Sequence, residues 1–270
     1  MERERKLGVI GLGNMGTALV SGALRSGVLS PREIIGYDRE HGKCEIAASR
    51  FSIEQASSAA EVLATADAVL IAVKPQNFDE LVAQVPAKSF DGLVISICAG
   101  IGLERLRASF PRARVVRVMP NTPALVGEGM SAIAFGPGVA DADRHFVFSL
   151  FQGVGQTIEV SDDDMDAVTA LSGSGPAYFF RFVKNLVEAG VAVGLPEETA
   201  FTLAIQTGFG ALTLAKESGV SLEDLIKQVS SPGGTTVAGL AELDAGGFDD
   251  AIRACVRAAY RRSRELGGKE

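Results

Sequence analysis

The residues equipped for chemistry fall in two glycine-rich places far apart in the chain. The first is "GLGNMG", with Gly11, Gly13 and Gly16 in a GxGxxG spacing. It follows a short apolar run, "KLGVIGL", and opens into a helical pattern, "NMGTALVSGALRSG". In that context each glycine has a task. Gly11 permits a tight turn, Gly13 lets a pyrophosphate approach the main chain, and Gly16 lets the helix pack on the strand. The helix start offers unpaired N–H groups and a partial positive charge to the anion. Asp38 ends the next apolar run, "IIGYD". An acid there hydrogen-bonds the ribose hydroxyls of NAD and repels the 2′-phosphate of NADP. Arg39 beside it suits that phosphate or adenine stacking, and a solvated Asp-Arg turn is the plain alternative. The combination points to dinucleotide binding, with NADH slightly favoured.

The second place is "VSSPGGTTVAGL", from Val229 to Leu240. A Pro and two Gly stand between pairs of hydroxyl residues, and a helical pattern follows. On the residues alone two readings stay open: a Pro-Gly turn with a threonine N-cap, or main chain laid bare for an anion.

These places need elements to hold them. "EIIGYD", "DAVLIAV", "GLVISICAG" and "ARVVRVMP" read as strands, and "MSAIAFG" and "GQTIEV" extend the series. The first of these runs are apolar throughout rather than alternating, the mark of strands covered on both faces. Helical stretches lie between them, so the expected architecture is α/β, a Rossmann-like, doubly wound parallel sheet. Near "VSDDDMDA" the strand-like runs stop. "PAYFFRFVKNLVEAGVAVG", "PEETAFTLAIQTGFGALTLAKES" and "FDDAIRACVRAAYRRSREL" read as helices. The expected division is therefore a dinucleotide-binding domain over 1–161 and an all-helical domain over 162–270. The long helices are apolar over much of their circumference and need covering, most simply by a second copy of the chain.

In open α/β sheets ligands sit at the carboxyl ends of strands. The expected cofactor contacts are thus Ile10, Gly11, Leu12, Gly13, Asn14, Met15 and Gly16, then Asp38 and Arg39, then Ala72, Val73, Lys74 and Pro75 in "AVKP". Cys98, Ala99 and Gly100 in "CAG" and Asn121 in "MPNTPA" complete them. Asn121, stiffened by flanking prolines, is expected to face the nicotinamide; Lys74 is expected at cofactor or substrate, or else as a plain surface lysine.

Taken together, "GLGNMG", "AVKP", "MPNTPA", "SGSGPAY" and "VSSPGGTT" stand in the order and spacing of pyrroline-5-carboxylate reductases, and the sequence resembles that family over essentially its whole length. The resemblance implies an oxidoreductase that reduces the cyclic imine 1-pyrroline-5-carboxylate to L-proline with NAD(P)H. It also implies a helical dimerisation domain, dimers that assemble further, commonly into decamers, and active sites that combine one subunit's nucleotide domain with the partner's helical domain. Under it Ser231, Gly233, Gly234, Thr235 and Thr236 hold the substrate carboxylate through bared amides, hydroxyls and a helix dipole. Thr236 is the catalytic candidate at the ring nitrogen. Small hydroxyl residues are common in the family where Asp38 stands, and they suit a 2′-phosphate better. The glycines of "SGSGPAY" allow close packing, and Tyr178 is read as packing.

Other classes fare worse. A β-hydroxyacid dehydrogenase shares "GLGNMG" and a helical second domain, but places a lysine one helical turn past a related glycine and an asparagine one turn further. Counted from Gly175 those places hold Phe179 and Val183, and Lys184 is displaced. A hydrolase built on Ser231 lacks a histidine base, since His41 and His145 are the only histidines. A non-enzymatic nucleotide-binding protein on the same fold stays open, because fold does not fix function. The net charge of −7 argues against nucleic-acid and anionic-membrane partners. The apolar runs are too short to span a bilayer, and the charged start does not resemble a signal peptide, so a cytoplasmic protein is expected. Cys44, Cys98 and Cys255 are scattered without CxxC spacing, and neither disulfides nor a metal site is expected.

Overall fold

The structure, a computed structural model, describes residues 5–268; the charged start at 1–4 lies outside the described residues. Contacts divide the chain into two compact units, one of residues up to Ser174 together with the segment from Ala259 onward, the other Gly175–Ala258.

The first unit is built on one sheet. Its strands are β1 (Leu7–Ile10), β2 (Ile34–Tyr37), β3 (Glu54–Gln55), β4 (Ala68–Ile71), β5 (Leu93–Ser96), β6 (Arg114–Met119), β7 (Gly129–Phe135) and β8 (Gly155–Glu159). They lie in the order β3-β2-β1-β4-β5-β6-β7-β8. The helices between them are α1 (Asn14–Arg25), α2 (His41–Phe51), α3 (Ala59–Thr65), α4 (Phe78–Gln84), α5 (Leu103–Ser109), α6 (Asp141–Gln152) and α7 (Met165–Val168).

Every residue of β1, β4 and β5 is buried, as all-apolar strands require. Successive side chains go to opposite faces. Val9, Leu70 and Ile95 join one core with Leu19 and Phe151, while Ile10, Val69, Ile71 and Val94 join the other with Phe78 and Phe110. Each fully buried side chain of this size contributes about 1.5–3 kcal/mol.

The parallel register holds from β3 to β6, and β7 then runs antiparallel to β6. The cause is the short link at 120–128, since a parallel crossover needs about a dozen residues or more. β8 returns parallel to β7 through α6. The edge strand β3 carries two exposed polar residues and gives no apolar signal in the sequence. Strand order reverses between β1 and β4, which places a crevice at their carboxyl ends.

Beyond α7 the chain makes a π-helical turn over Thr169–Gly173. The second unit then carries α8 (Gly175–Ala192), α9 (Glu197–Ser218), α10 (Leu222–Gln228), α11 (Thr235–Ala245) and the first part of α12 (Phe248–Leu266). The change of residue character at 162 and the contact boundary after Ser174 are distinct features. The segment past 162 still packs on the sheet through buried Met165, which joins Ala132 and Ala134. The last turns of α12 join it, for buried Ser263 donates to Asp166 Oδ1 at 2.8 Å.

Within the helical unit only Gly175 and Ala200 are buried. Gly190 on α8 faces Ala200 on α9 so closely that a Cβ there would sit 3.1 Å from the alanine methyl. Phe180 at 68% and Phe209 at 66% exposure leave the unit with open apolar faces. Faces of this kind mark association surfaces. Among the described residues no helix is long and apolar enough to cross a membrane.

Candidate active site

The glycine loop between β1 and α1 divides its work as the spacing suggests. Gly11 has φ +103°, and a Cβ there would meet Ala72 O at 2.5 Å. A side chain at Gly16 would meet Gly11 O at 2.0 Å, so this glycine lets α1 start against the loop. A Cβ on Gly13 would meet nothing within 4 Å. That open space lies at the N-cap of α1, where no side chain caps the amides and the first turn carries no acid. A pyrophosphate fits this arrangement: bared N–H groups, a helix dipole and no competing carboxylate.

The loop is braced from the second strand. Asp38 Oδ2 accepts from Leu12 N at 2.8 Å and Oδ1 from Glu40 N at 2.9 Å. The acid therefore has a holding role that the residue pattern did not reveal, besides free lone pairs for ribose hydroxyls. Behind it the buried Cys44 thiol accepts from Asp38 N at 3.0 Å, which locks the turn after β2.

In front of the loop lies a cleft of about 400 Å³. Of the expected cofactor residues, Ile10, Gly11, Gly13, Asp38, Arg39, Ala72, Val73 and Lys74 line it. Leu12, Asn14, Met15, Gly16, Pro75, Cys98, Ala99, Gly100 and Asn121 do not. Pro75 opens the short 3₁₀ turn that carries Asn77 to the wall. The wall also includes Glu40, Lys43, Glu80 and Gln84, which sequence reasoning passed over. They look like ordinary solvated positions at the start of α2 and on α4, and only the topology brings them to the cleft.

Three residues outside that lining have protein partners of their own. The Cys98 thiol reaches Val73 O at 3.3 Å and so props the loop after β4. Burial pushes this thiol up to about 11, so it stays protonated at neutral pH. Gly100 has φ +75°, and a Cβ there would lie 3.1 Å from Leu266 O. Asn121 is committed at both ends of its amide: Oδ1 accepts from Met130 N at 2.8 Å, and Nδ2 donates to Ser172 O at 3.3 Å. It ties the loop after β6 to β7 and to the π-helical turn.

The helical unit holds the other glycine-rich place. Gly234 N donates to Ser231 O at 2.9 Å, and Gly233 at the corner has φ +70°. Proline then a left-handed glycine is the type II pattern. α11 starts at Thr235 with Gly234 as its N-cap and no side-chain cap. The threonine-cap reading therefore does not hold, and the first-turn amides of α11 stay open to an anion. Thr236 in that turn is half-buried, while Ser231, Gly233 and Thr235 are exposed. A Cβ on Gly234 would strike Ser231 Oγ at 2.5 Å, which explains a second glycine.

A doubly wound sheet with an open glycine cradle at its reversal point, followed by a helical unit with uncovered apolar faces, defines a dinucleotide-binding protein with an associating helical domain. Residues 162–266 match the family model described as pyrroline-5-carboxylate reductase dimerisation, and residues 6–100 the model of NADP oxidoreductase, coenzyme F420-dependent. The pyrroline-5-carboxylate reductase of Synechocystis sp. is 40% identical over 264 residues, 98% of this chain and 99% of that protein. That of Arabidopsis thaliana is 40% identical over 97% of this chain and 95% of its own length. A crystal structure of Plasmodium falciparum pyrroline carboxylate reductase with NADP bound has a TM-score of 0.88 at 32% identity, covering 97% of this chain and 98% of that one. The chain belongs to the pyrroline-5-carboxylate reductase family.

Proposed function

We propose that the chain reduces 1-pyrroline-5-carboxylate to L-proline with NADH or NADPH, the closing step of proline synthesis. It works in the cytoplasm, as a homodimer that assembles further into decamers. The observation that carries the reading is the uncapped start of α11 behind the Ser231–Gly234 turn, a corner that offers main-chain donors without a buried arginine.

The substrate is a small ring with a carboxylate next to a C=N bond. Amides of the α11 first turn and the hydroxyls of Ser231 and Thr235 hold the carboxylate. The Thr236 hydroxyl orients the ring nitrogen. A threonine is a poor acid, so the imine binds already protonated and Thr236 accepts from its N–H; positioning outweighs acid catalysis. The nicotinamide, when bound, supplies hydride to the imine carbon. The main chain of the Gly11–Gly16 loop holds the pyrophosphate, and Asp38 the ribose near it. Hydride transfer requires donor and imine to meet, which the family pattern assigns to the dimer.

The test is loss of NADH or NADPH absorbance on adding pyrroline-5-carboxylate. Substrate-dependent oxidation supports the reading; nucleotide binding without oxidation would leave a binding protein on this fold. In Thr236→Ala we expect kcat to fall about 10²-fold with nucleotide affinity intact. Unchanged kcat and KM would remove Thr236 from the mechanism.

A further inference from the structure

The outer part of the nucleotide cleft is electrically balanced. Its lining includes the acids Asp38, Glu40 and Glu80 and the cations Arg39, Lys43 and Lys74. Two of the cations face acids on the same rim. Lys43 Nζ lies 2.6 Å from Glu40 Oε1, and Arg39 Nη1 lies 4.0 Å from Glu80 Oε2, across from the end of β2 to α4. The closer pair is felt in titration: the hydrogen bond from Lys43 holds Glu40 below the usual carboxylate range and raises Lys43 in turn. Asp79 beside Glu80 is occupied differently, for both its oxygens take Arg105 Nη2 at 2.7 Å. Asp38 has each oxygen on a main-chain amide.

We propose that Glu40 and Glu80 bias the nucleotide preference of this enzyme by holding Lys43 and Arg39 away from the 2′-position, and that Asp38 braces the glycine loop besides serving the ribose. The proposal rests on the dinucleotide reading of the cleft.

The physical reason is charge. A 2′-phosphate brings about −1.5 to −2 at neutral pH and needs cations that can turn to it. Arg39 and Lys43 stand where such a phosphate would find them, but each is matched by a carboxylate. An incoming phosphate must displace those carboxylates and then remain beside them. NADH asks nothing of either pair, because its 2′-hydroxyl needs only an acceptor such as Asp38. Replacing either glutamate by glutamine keeps its shape, removes one repulsive charge and releases one cation. For charges within a screening length of each other in water, that is worth about fivefold in relative affinity per site, and about twentyfold for both.

The experiment compares 2′,5′-ADP with 5′-AMP by calorimetric titration of the full chain, in the parent, Glu40→Gln, Glu80→Gln, the double variant and Glu80→Asp. The parent is expected to bind the two ligands within about threefold of each other. Each glutamine variant shifts the ratio about fivefold towards 2′,5′-ADP, the double variant about twentyfold, and the gain shrinks at high salt. Glu80→Asp, which keeps the charge but shortens its reach to Arg39, is expected between the parent and Glu80→Gln. Thermal midpoints close to the parent's exclude a fold defect, which in any case would weaken both ligands alike. A ratio unmoved by both glutamine variants overturns the proposal, and so does a parent that already favours 2′,5′-ADP more than about tenfold. The titration contains no imine. A shifted ratio in a protein that fails to reduce pyrroline-5-carboxylate would therefore refute the activity and leave this inference standing.

Discussion

Replacing Asp38 by alanine separates bracing from charge. The carboxylate accepts from Leu12 N at 2.8 Å and Glu40 N at 2.9 Å. Leu12 is only 4% exposed, so its amide loses its acceptor without gaining water. That costs about 1–3 kcal/mol. The Glu40 amide lies at an exposed residue and recovers a water partner, so it adds little. A central value of about 2 kcal/mol is charged to the bound form of the loop, a loss of about 30-fold in nucleotide affinity. NADH loses a ribose acceptor as well. NADPH recovers about fivefold from the missing negative charge, but still binds more weakly than to the parent. Direct titration of the reduced nucleotides, followed by nicotinamide fluorescence, reads both values, and the chain contains no tryptophan to interfere. NADPH binding tighter in Asp38→Ala than in the parent would refute the bracing argument and return Asp38 to a purely electrostatic role.

Gly234→Ala puts a methyl 2.5 Å from Ser231 Oγ at a backbone geometry alanine tolerates; KM for pyrroline-5-carboxylate should rise about tenfold while KM for the nucleotide stays put, as steady-state kinetics would show. Asp162→Asn strips the carboxylate from Arg117, a strand residue 4% exposed that pairs with it at 2.8 Å; the expected loss is about 3 kcal/mol in denaturant unfolding, and a loss under about 1 kcal/mol would contradict it. Cys98 gives a pH signature. Its thiol is raised from 9.0 to about 11 by burial, so the folded chain holds a proton that the unfolded chain releases. That stability is complete below pH 9 and is lost as pH rises through about 11, at most about 2–3 kcal/mol. Thermal melts of Cys98→Ala should fall less steeply than the parent over that window.

Legibility in the sequence followed apolar content. β1, β4 and β5 were readable because each is a short unbroken apolar run. β3, with Glu54 and Gln55, carries no such mark and forms only because the chain passes beside β2. The antiparallel turn of β7 was a matter of link length rather than of residue type. At the site, the glycines announced the cradle because only glycine tolerates φ +103° at Gly11 or the contact behind Gly16. Glu80 and Lys43 announced nothing, since a charged helix residue reads the same whether it faces solvent or a cleft. Asn121 illustrates the converse. Its flanking prolines marked it as special, but its bonds to Met130 and Ser172 depend on tertiary placement that no local pattern encodes. The return of the α12 terminus to the first unit, marked by the Ser263–Asp166 hydrogen bond and by Leu266 lying against Gly100, is likewise silent in sequence.

Substrate binding as proposed requires the carboxylate to be held by bared amides at the head of α11. A crystal structure with proline and oxidised nucleotide bound tests this directly. We expect the proline carboxylate within hydrogen-bond reach of the amides of Gly234 to Thr236, with its ring nitrogen at the Thr236 hydroxyl. Proline bound at any other part of the chain, with that helix start left to water, would contradict it.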